Sequence, residues 1–184
     1  MTILNRENMR SQPAALLLFL LLLSGFVYSI ADPSITTSTD PSFIRECLTV
    51  HNQIRAVHSA APVSWDAHLA SVAQEYSSTC PQPHSSPPGM GENIGWGLSA
   101  TDALNRMYDE RRLYDWSNPQ WAKETGRFSA IVWRNTSRVG CALTHCTAVW
   151  AARGFSAELP YELVCEYSPK GNIQGRFPEN VVPE

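Results

Sequence analysis

The hydrophobic repeat of this chain changes period along its length, and that change restricts the available folds more than any other feature. "FIRECLTVHNQIRAVH" spaces Phe43, Cys47, Val50, Ile54 and Val57 three or four residues apart, which predicts an amphipathic helix. "SWDAHLASVAQEYSSTC" predicts a second, with Trp65, Leu69, Val72, Ala73 and Tyr76 on one face. "DALNRMYDERRLY" predicts a third, with Leu104, Met107 and Tyr108 apolar and Ser99 or Thr101 as its N-cap. Near the C-terminus the period falls to two. "RVGCALTHC", "TAVWAARGF" and "YELVCEYSP" alternate and carry β-branched or aromatic residues, so each reads as a strand of an antiparallel sheet. "GRFSAIVWRN" is short and apolar and fits either state. Pro81, Pro83, Pro87 and Pro88 forbid a helix in "CPQPHSSPPGMGENIGWG", which reads as irregular. Helices first and most strands last predict an α+β fold, with helices packed on an antiparallel sheet rather than a parallel, doubly wound one.

Ahead of these elements, Arg6 and Arg10 precede the run "AALLLFLLLLSGFVYSIA", which ends in small residues at Ser29-Ile-Ala31. Residues 1–31 therefore read as a secretory signal peptide, the alternative being a membrane anchor of near-minimal length. Removing these 31 of 184 residues leaves 153, enough for one domain with a real core. The expected organisation is a flexible Ser/Thr-rich leader at 32–42 and a single domain at 43–182, secreted and extracellular. Residues 32–184 carry 12 Lys and Arg against 16 Asp and Glu, which excludes the basic footprint of a nucleic-acid binder. All five cysteines (Cys47, Cys80, Cys141, Cys146, Cys165) follow the leader. An oxidising compartment then predicts two disulfides and one odd thiol, with the pairing left open by spacing alone. No C-x-x-C pair is present, which argues against a structural zinc knuckle. Asn135-Thr136-Ser137 is an N-glycosylation acceptor.

"LYDWSNPQW", residues 113–121, sets Tyr114, Trp116 and Trp121 around the turn Asn118-Pro119. Turns lie at the surface, where large rings are costly unless they cover something. Mobile rings with polar tips suit a ligand that has a flat apolar face and one hydroxyl; the structural alternative is a cap over the edge of the fold. His51, His58 and His68 fall on predicted helices at unrelated spacing and read as surface or hydrogen-bonded core residues. His145 lies beside Cys146, and a metal site there would require a reduced cysteine.

Three segments add up to a family. "GENIGWG", "TGRFSAIVWRNTSRVGCA" and "LVCEYSPKGNIQGRFPENV" resemble, in order and spacing, the signatures of the CAP superfamily: cysteine-rich secretory proteins, antigen 5 and plant pathogenesis-related class 1 proteins. The resemblance runs from about Phe43 to Val182, and the aromatic loop is most similar to that of fungal members. It implies a three-layer α-β-α sandwich with a central antiparallel sheet. It also implies disulfides Cys80–Cys141 and Cys146–Cys165, leaving Cys47 on the buried face of the first helix. In many members two His and two Glu converge in a cleft, often around a divalent metal. The matching positions are His84, Glu92, Glu110 and Arg127. Arginine stands where histidine is usual, and a guanidinium has no lone pair for a metal. No cofactor is therefore expected, His84 and Glu92 being the remaining candidate ligands. Arg127 is expected to pair with Glu92, Glu110 or both in the space a metal would fill. Glu166, after Cys165, departs from the neutral or basic residue usual there.

By the same resemblance the function is sterol binding through Tyr114, Trp116, Asn118, Pro119 and Trp121, by a monomer acting in lipid binding and export or as a pathogenesis-related or virulence factor. Fatty acids are a further expected ligand, between helices at Leu48, Ile54, Leu69, Leu104 and Met107. An enzyme is not expected. There is no G-x-S-x-G or H-E-x-x-H, Ser85 and Ser86 merely adjoin His84, and an arginine between Glu92 and Glu110 would keep both ionised and remove a glycosidase's acid. The alternative function is an extracellular recognition module binding a host protein, peptide or glycan in the polar cleft, with a degenerate hydrolase third.

Overall fold

A computed structural model describes residues 35–36, 38–80, 83–156 and 158–184. The expected signal peptide and part of the expected leader lie outside the described residues. In chain order the elements are β1 (Ile35–Thr36), α1 (Pro41–Val57), β2 (Ser64–Trp65), α2 (Ala67–Ser77), β3 (Gly91–Gly97), α3 (Ala100–Asp109), α4 (Gly126–Val132), β4 (Arg138–His145), α5 (Thr147–Ala152), β5 (Tyr161–Ser168) and α6 (Phe177–Asn180). Short 3₁₀ turns at Glu110–Leu113 and Lys123–Thr125 flank the aromatic loop.

Local chemistry sets the helix starts. Asp40 caps α1 by accepting from the Ser42 N–H at 2.7 Å, and Pro41 fills the first turn, where its missing N–H costs nothing. Asp66 caps α2 through the N–H groups of His68 and Leu69. Ser99, not Thr101, caps α3; the Thr101 hydroxyl and N–H instead bind Glu46 on α1.

The strands run in the order β1-β4-β5-β3, antiparallel throughout, and β2 adds a two-residue parallel pairing beside β4. Alternation sorts the side chains into two layers. Val139, Cys141, Leu143, Leu163, Cys165 and Tyr167 join the core shared with α1, α3 and α4. Ala142, Val164 and Ile94 pack on Ala73 of α2 on the opposite face. The result is the expected α-β-α sandwich. Gly140 lets α2 approach the sheet: a Cβ there would stand 2.1 Å from the Ala70 nitrogen.

Several expectations are corrected. Ile35 and Thr36, within the supposed flexible leader, pair with Thr144 and Leu143, and Pro41 already opens α1. "GENIGWG" is a strand, because the prolines stop at Pro88 and leave residues 91–97 free to pair with β5. "GRFSAIV" is helical. "TAVWAARGF" is not a strand: its alanines favour helix, and Trp150 of α5 packs on the Cys80–Cys146 disulfide.

The disulfide pairing also differs. The bonds are Cys80–Cys146 and Cys141–Cys165, not Cys80–Cys141 and Cys146–Cys165. Register is the reason. Cys141 and Cys165 are directly opposed on β4 and β5, on the face turned toward α1. Cys80 follows α2 on the other face and meets Cys146 just beyond the end of β4. Cys47 is free and buried, as expected, and burial pushes its thiol far above the ordinary range.

The core also holds a fully buried guanidinium. Arg55, near the end of α1, donates to the carbonyls of Ala61 (2.8 Å), Ile131 (2.8 Å), Trp133 (2.9 Å) and Thr136 (2.7 Å). Replacing it with methionine would leave buried acceptors unpaired and should cost about 3 kcal/mol or more. Gly140→Ala should cost about 1–3 kcal/mol by pushing α2 off the sheet. Urea midpoints check both, and wild-type stability in either variant would refute the corresponding assignment.

Candidate functional site

β3 ends the hydrogen-bonded order of the sheet, and its open side lines a cleft of about 710 Å³. The cleft wall includes His84 and Glu92, Trp121 and Lys123, Arg127 at the start of α4, and Lys170 after β5.

The four expected cleft residues come together as two separate pairs. His84 Nδ1 lies 2.7 Å from Glu92 Oε1, which also accepts the Ser85 N–H at 2.9 Å, while the Ser85 hydroxyl donates to Glu92 Oε2. Burial opposes ionisation of Glu92, but these bonds from His84 and Ser85 outweigh it and hold the carboxyl below its ordinary value. Arg127 pairs with Glu110 and not with Glu92: its Nε donates to Glu110 Oε1 at 2.5 Å. The backbone N–H groups of Arg127 and Phe128 reach Glu110 Oε2 at 3.0 and 3.1 Å, so one carboxylate from the end of α3 also closes the first turn of α4. Only 3 % of the Glu92 side chain and 9 % of the Glu110 side chain face solvent, against 39 % of Arg127.

This donor set does not fit a divalent metal. Both oxygens of each carboxylate already accept protein donors, and Arg127 offers none. Ser85 donates to Glu92, and no described hydrogen bond joins it to a histidine.

Behind the first pair lies a feature that the sequence reading missed in part. Glu166 is directly opposite Glu92 across β3 and β5 and has no exposed surface. Neither of its oxygens has a conventional donor among the described residues. Burial, and then the charge of Glu92, push its carboxyl up from 4.5 to about 9, which favours the protonated acid beside the ionised Glu92. Glu162, four residues back along β5 on the same face with Val164 between, is also fully buried and accepts from Trp96 Nε1 at 3.2 Å. Burial pushes it up to about 8, against the opposing effects of Trp96 and Arg153. Glu166 stood out in the sequence as a departure; Glu162 did not, although both occupy the face of β5 turned toward α2.

The aromatic loop divides. Tyr114 is buried, its ring 4.7 Å from Trp116 and 5.4 Å from Phe128. Trp116 stacks on the buried His58 at an interplanar angle of 12° and keeps 37 % of its surface exposed. Trp121 is 51 % exposed and lines the cleft instead. The turn falls earlier than expected, at Asp115–Asn118 with Trp116 and Ser117 at its centre and the Asn118 N–H on the Asp115 carbonyl at 3.3 Å, and Pro119 follows it. The three rings therefore do not form one face.

The remaining candidates separate as follows. His58 contacts the Val182 carbonyl at 2.7 Å and the Tyr108 hydroxyl at 3.1 Å. His51 contacts the Cys47 carbonyl and the Tyr167 hydroxyl, and burial lowers it to about 4, so it is a neutral core histidine. Asn135 is exposed after α4, where a glycan can be carried. The expected fatty-acid set does not converge, because Leu69 belongs to α2, across the sheet from the core that contains Ile54, Leu104 and Met107.

The buried acids predict a pH dependence of known sign. The native state keeps the protons of Glu162 and Glu166 to about pH 8–9, whereas the unfolded chain releases them near 4.5. Their contribution is thus full at acid pH and is lost as pH rises, by up to about 1.4 kcal/mol per unit for each group. Melting temperature should be higher at pH 5 than at pH 8, and Glu166→Gln, which removes the titrating carboxyl at nearly constant size, should flatten that slope. A flat wild-type profile would refute the protonated assignment.

Residues 48–167 match the profile of the cysteine-rich secretory protein family (CAP). The chain is 35 % identical over 167 residues to "Repressed by EFG1 protein 1" of Candida albicans, covering 83 % of this chain and 58 % of that protein. It is 34 % identical over 146 residues to Protein PRY2 of Saccharomyces cerevisiae, covering 77 % and 41 %. It therefore spans about half the length of these fungal relatives. Pathogenesis-related protein PRMS of maize is 32 % identical, with 77 % of this chain and 88 % of that protein covered. Among solved structures, NaASP2 with Zn²⁺ superposes with a TM-score of 0.61 at 18 % identity over 81 % of this chain and 89 % of its own, a likeness of fold. On these grounds the chain belongs to the cysteine-rich secretory protein (CAP) family.

Proposed function

We propose that this chain is a secreted, non-enzymatic CAP domain that binds a sterol through the loop at 113–121. The observation that carries this reading is the exposure of Trp116, within a turn that the buried Tyr114 anchors to the core, and of Trp121 just beyond it. A rigid anchor with two wet indoles suits ligand capture. The rings have little conformational freedom to lose, and each would bury a large apolar area against a flat hydrocarbon face while its N–H stays hydrated. Leu113, also exposed, adds apolar surface next to the anchor. Tyr114 supports the loop and does not itself contact ligand.

Two disulfides support an extracellular role, together with the leader read from the sequence. The paired carboxylates support a non-enzymatic one, since each is committed to a neighbouring donor.

Binding of labelled cholesterol or ergosterol to the purified protein tests the proposal. The wild type should bind saturably, and Trp116→Ala/Trp121→Ala should weaken binding by about tenfold or more, the scale expected for loss of an aromatic burial. No binding by folded wild type, or full binding by the double variant, would overturn it.

A further inference from the structure

The charge that faces solvent around the cleft is opposite to the charge buried beneath it. Glu92 and Glu110 are almost wholly covered and each is bound by its partner, while burial pushes Glu166, opposite Glu92, toward its neutral form. The groups left at the surface are Lys123, Lys170, His84 and the outer part of Arg127. Arg127 uses Nε on Glu110 and Nη1 on the Ile94 carbonyl at 3.3 Å, and its Nη2 has no protein partner among the described residues. One wall of the same cleft is the exposed indole of Trp121. It lies against Gly126, where a Cβ would come within 3.4 Å of the indole nitrogen.

An aromatic wall flanked by separate cations is a specific combination. A pyranose ring presents a flat C–H face to an indole, and a ring-borne carboxylate then falls to a guanidinium or ammonium at its edge. We propose that this cleft binds a uronate-bearing oligosaccharide, with one sugar stacked on Trp121 and carboxylates held by Arg127, Lys123 and Lys170. Rigid sugar rings lose less freedom against an aromatic wall than an acidic peptide, which would have to be ordered on binding. Trp121 also belongs to the sterol-binding loop, but the lysines stand outside residues 113–121, so the inference goes beyond the sterol reading and a charge-reversed variant separates the two.

Calorimetric titration of the purified full chain with trigalacturonate tests it, with the fully methyl-esterified trisaccharide as the neutral control. Trigalacturonate should bind saturably, more weakly as salt rises, and the ester should bind far less. Lys123→Glu/Lys170→Glu, both at exposed positions, should weaken binding by about tenfold or more while sterol binding is retained. Trp121→Ala should weaken it as well. Absence of binding by the wild type would overturn the proposal. So would equal binding of the ester, unchanged affinity in the charge-reversed variant, or stronger binding of an acidic hexapeptide than of the sugar.

Discussion

The guanidinium of Arg55 is the constraint on which the rest of the architecture depends. It is fully buried with no carboxylate bonded to it, and burial lowers its ionisation only to about 10, so it remains charged inside the core. Its compensation is a set of four backbone carbonyls from three separate segments. Two of them, Ile131 and Trp133, are at the C-terminal end of α4, where a cation is also favoured by the helix dipole. Thr136 lies on the turn into β4. α1 is thereby tied to α4 and to the start of the central strand pair. The other end of α4 carries Arg127, so the geometry of the cleft depends on an interaction formed on the far side of the core.

Much of the fold was legible because period and burial agree. α1, α2 and α3 each turn one stripe to the core, and β4 and β5 alternate between two different neighbours. Legibility failed where a short segment took its state from tertiary context. Residues 147–152 alternate as a strand would, yet α5 follows from alanine propensity and from the disulfide under Trp150. β3 was hidden behind prolines that end just before it, and Gly97 is required by a close neighbour: a Cβ there would stand 2.6 Å from the Ala103 nitrogen. The cysteine pairing needed the β4–β5 register, which no spacing rule contains.

The site was legible in part. Its four residue types and the pairing of Arg127 with a glutamate followed from the chain, but which glutamate did not, because that choice rests on the backbone N–H groups that Glu110 also accepts. The aromatic spacing was visible and its geometry was not. Sequence places Tyr114, Trp116 and Trp121 within eight positions of one another, while the structure sends one ring inward, one onto His58 and one toward the cleft. Glu162 was unremarked because an isolated acid on a strand usually points to water; here the strand is covered on both faces.

The Cys80–Cys146 bond has a topological meaning as well. The loop bearing His84, strand β3, helix α3, the aromatic turn and the start of α4 all lie between its two cysteines, whose sequence separation is 66 residues. β5 is fastened to that ring in turn by Cys141–Cys165. A protease that cut any single peptide bond between Cys80 and Cys146 would therefore release nothing: both new ends would stay covalently joined, held by the same sheet. The cleft and the aromatic turn are enclosed in a closed covalent circuit, and a molecule nicked there would still be one molecule.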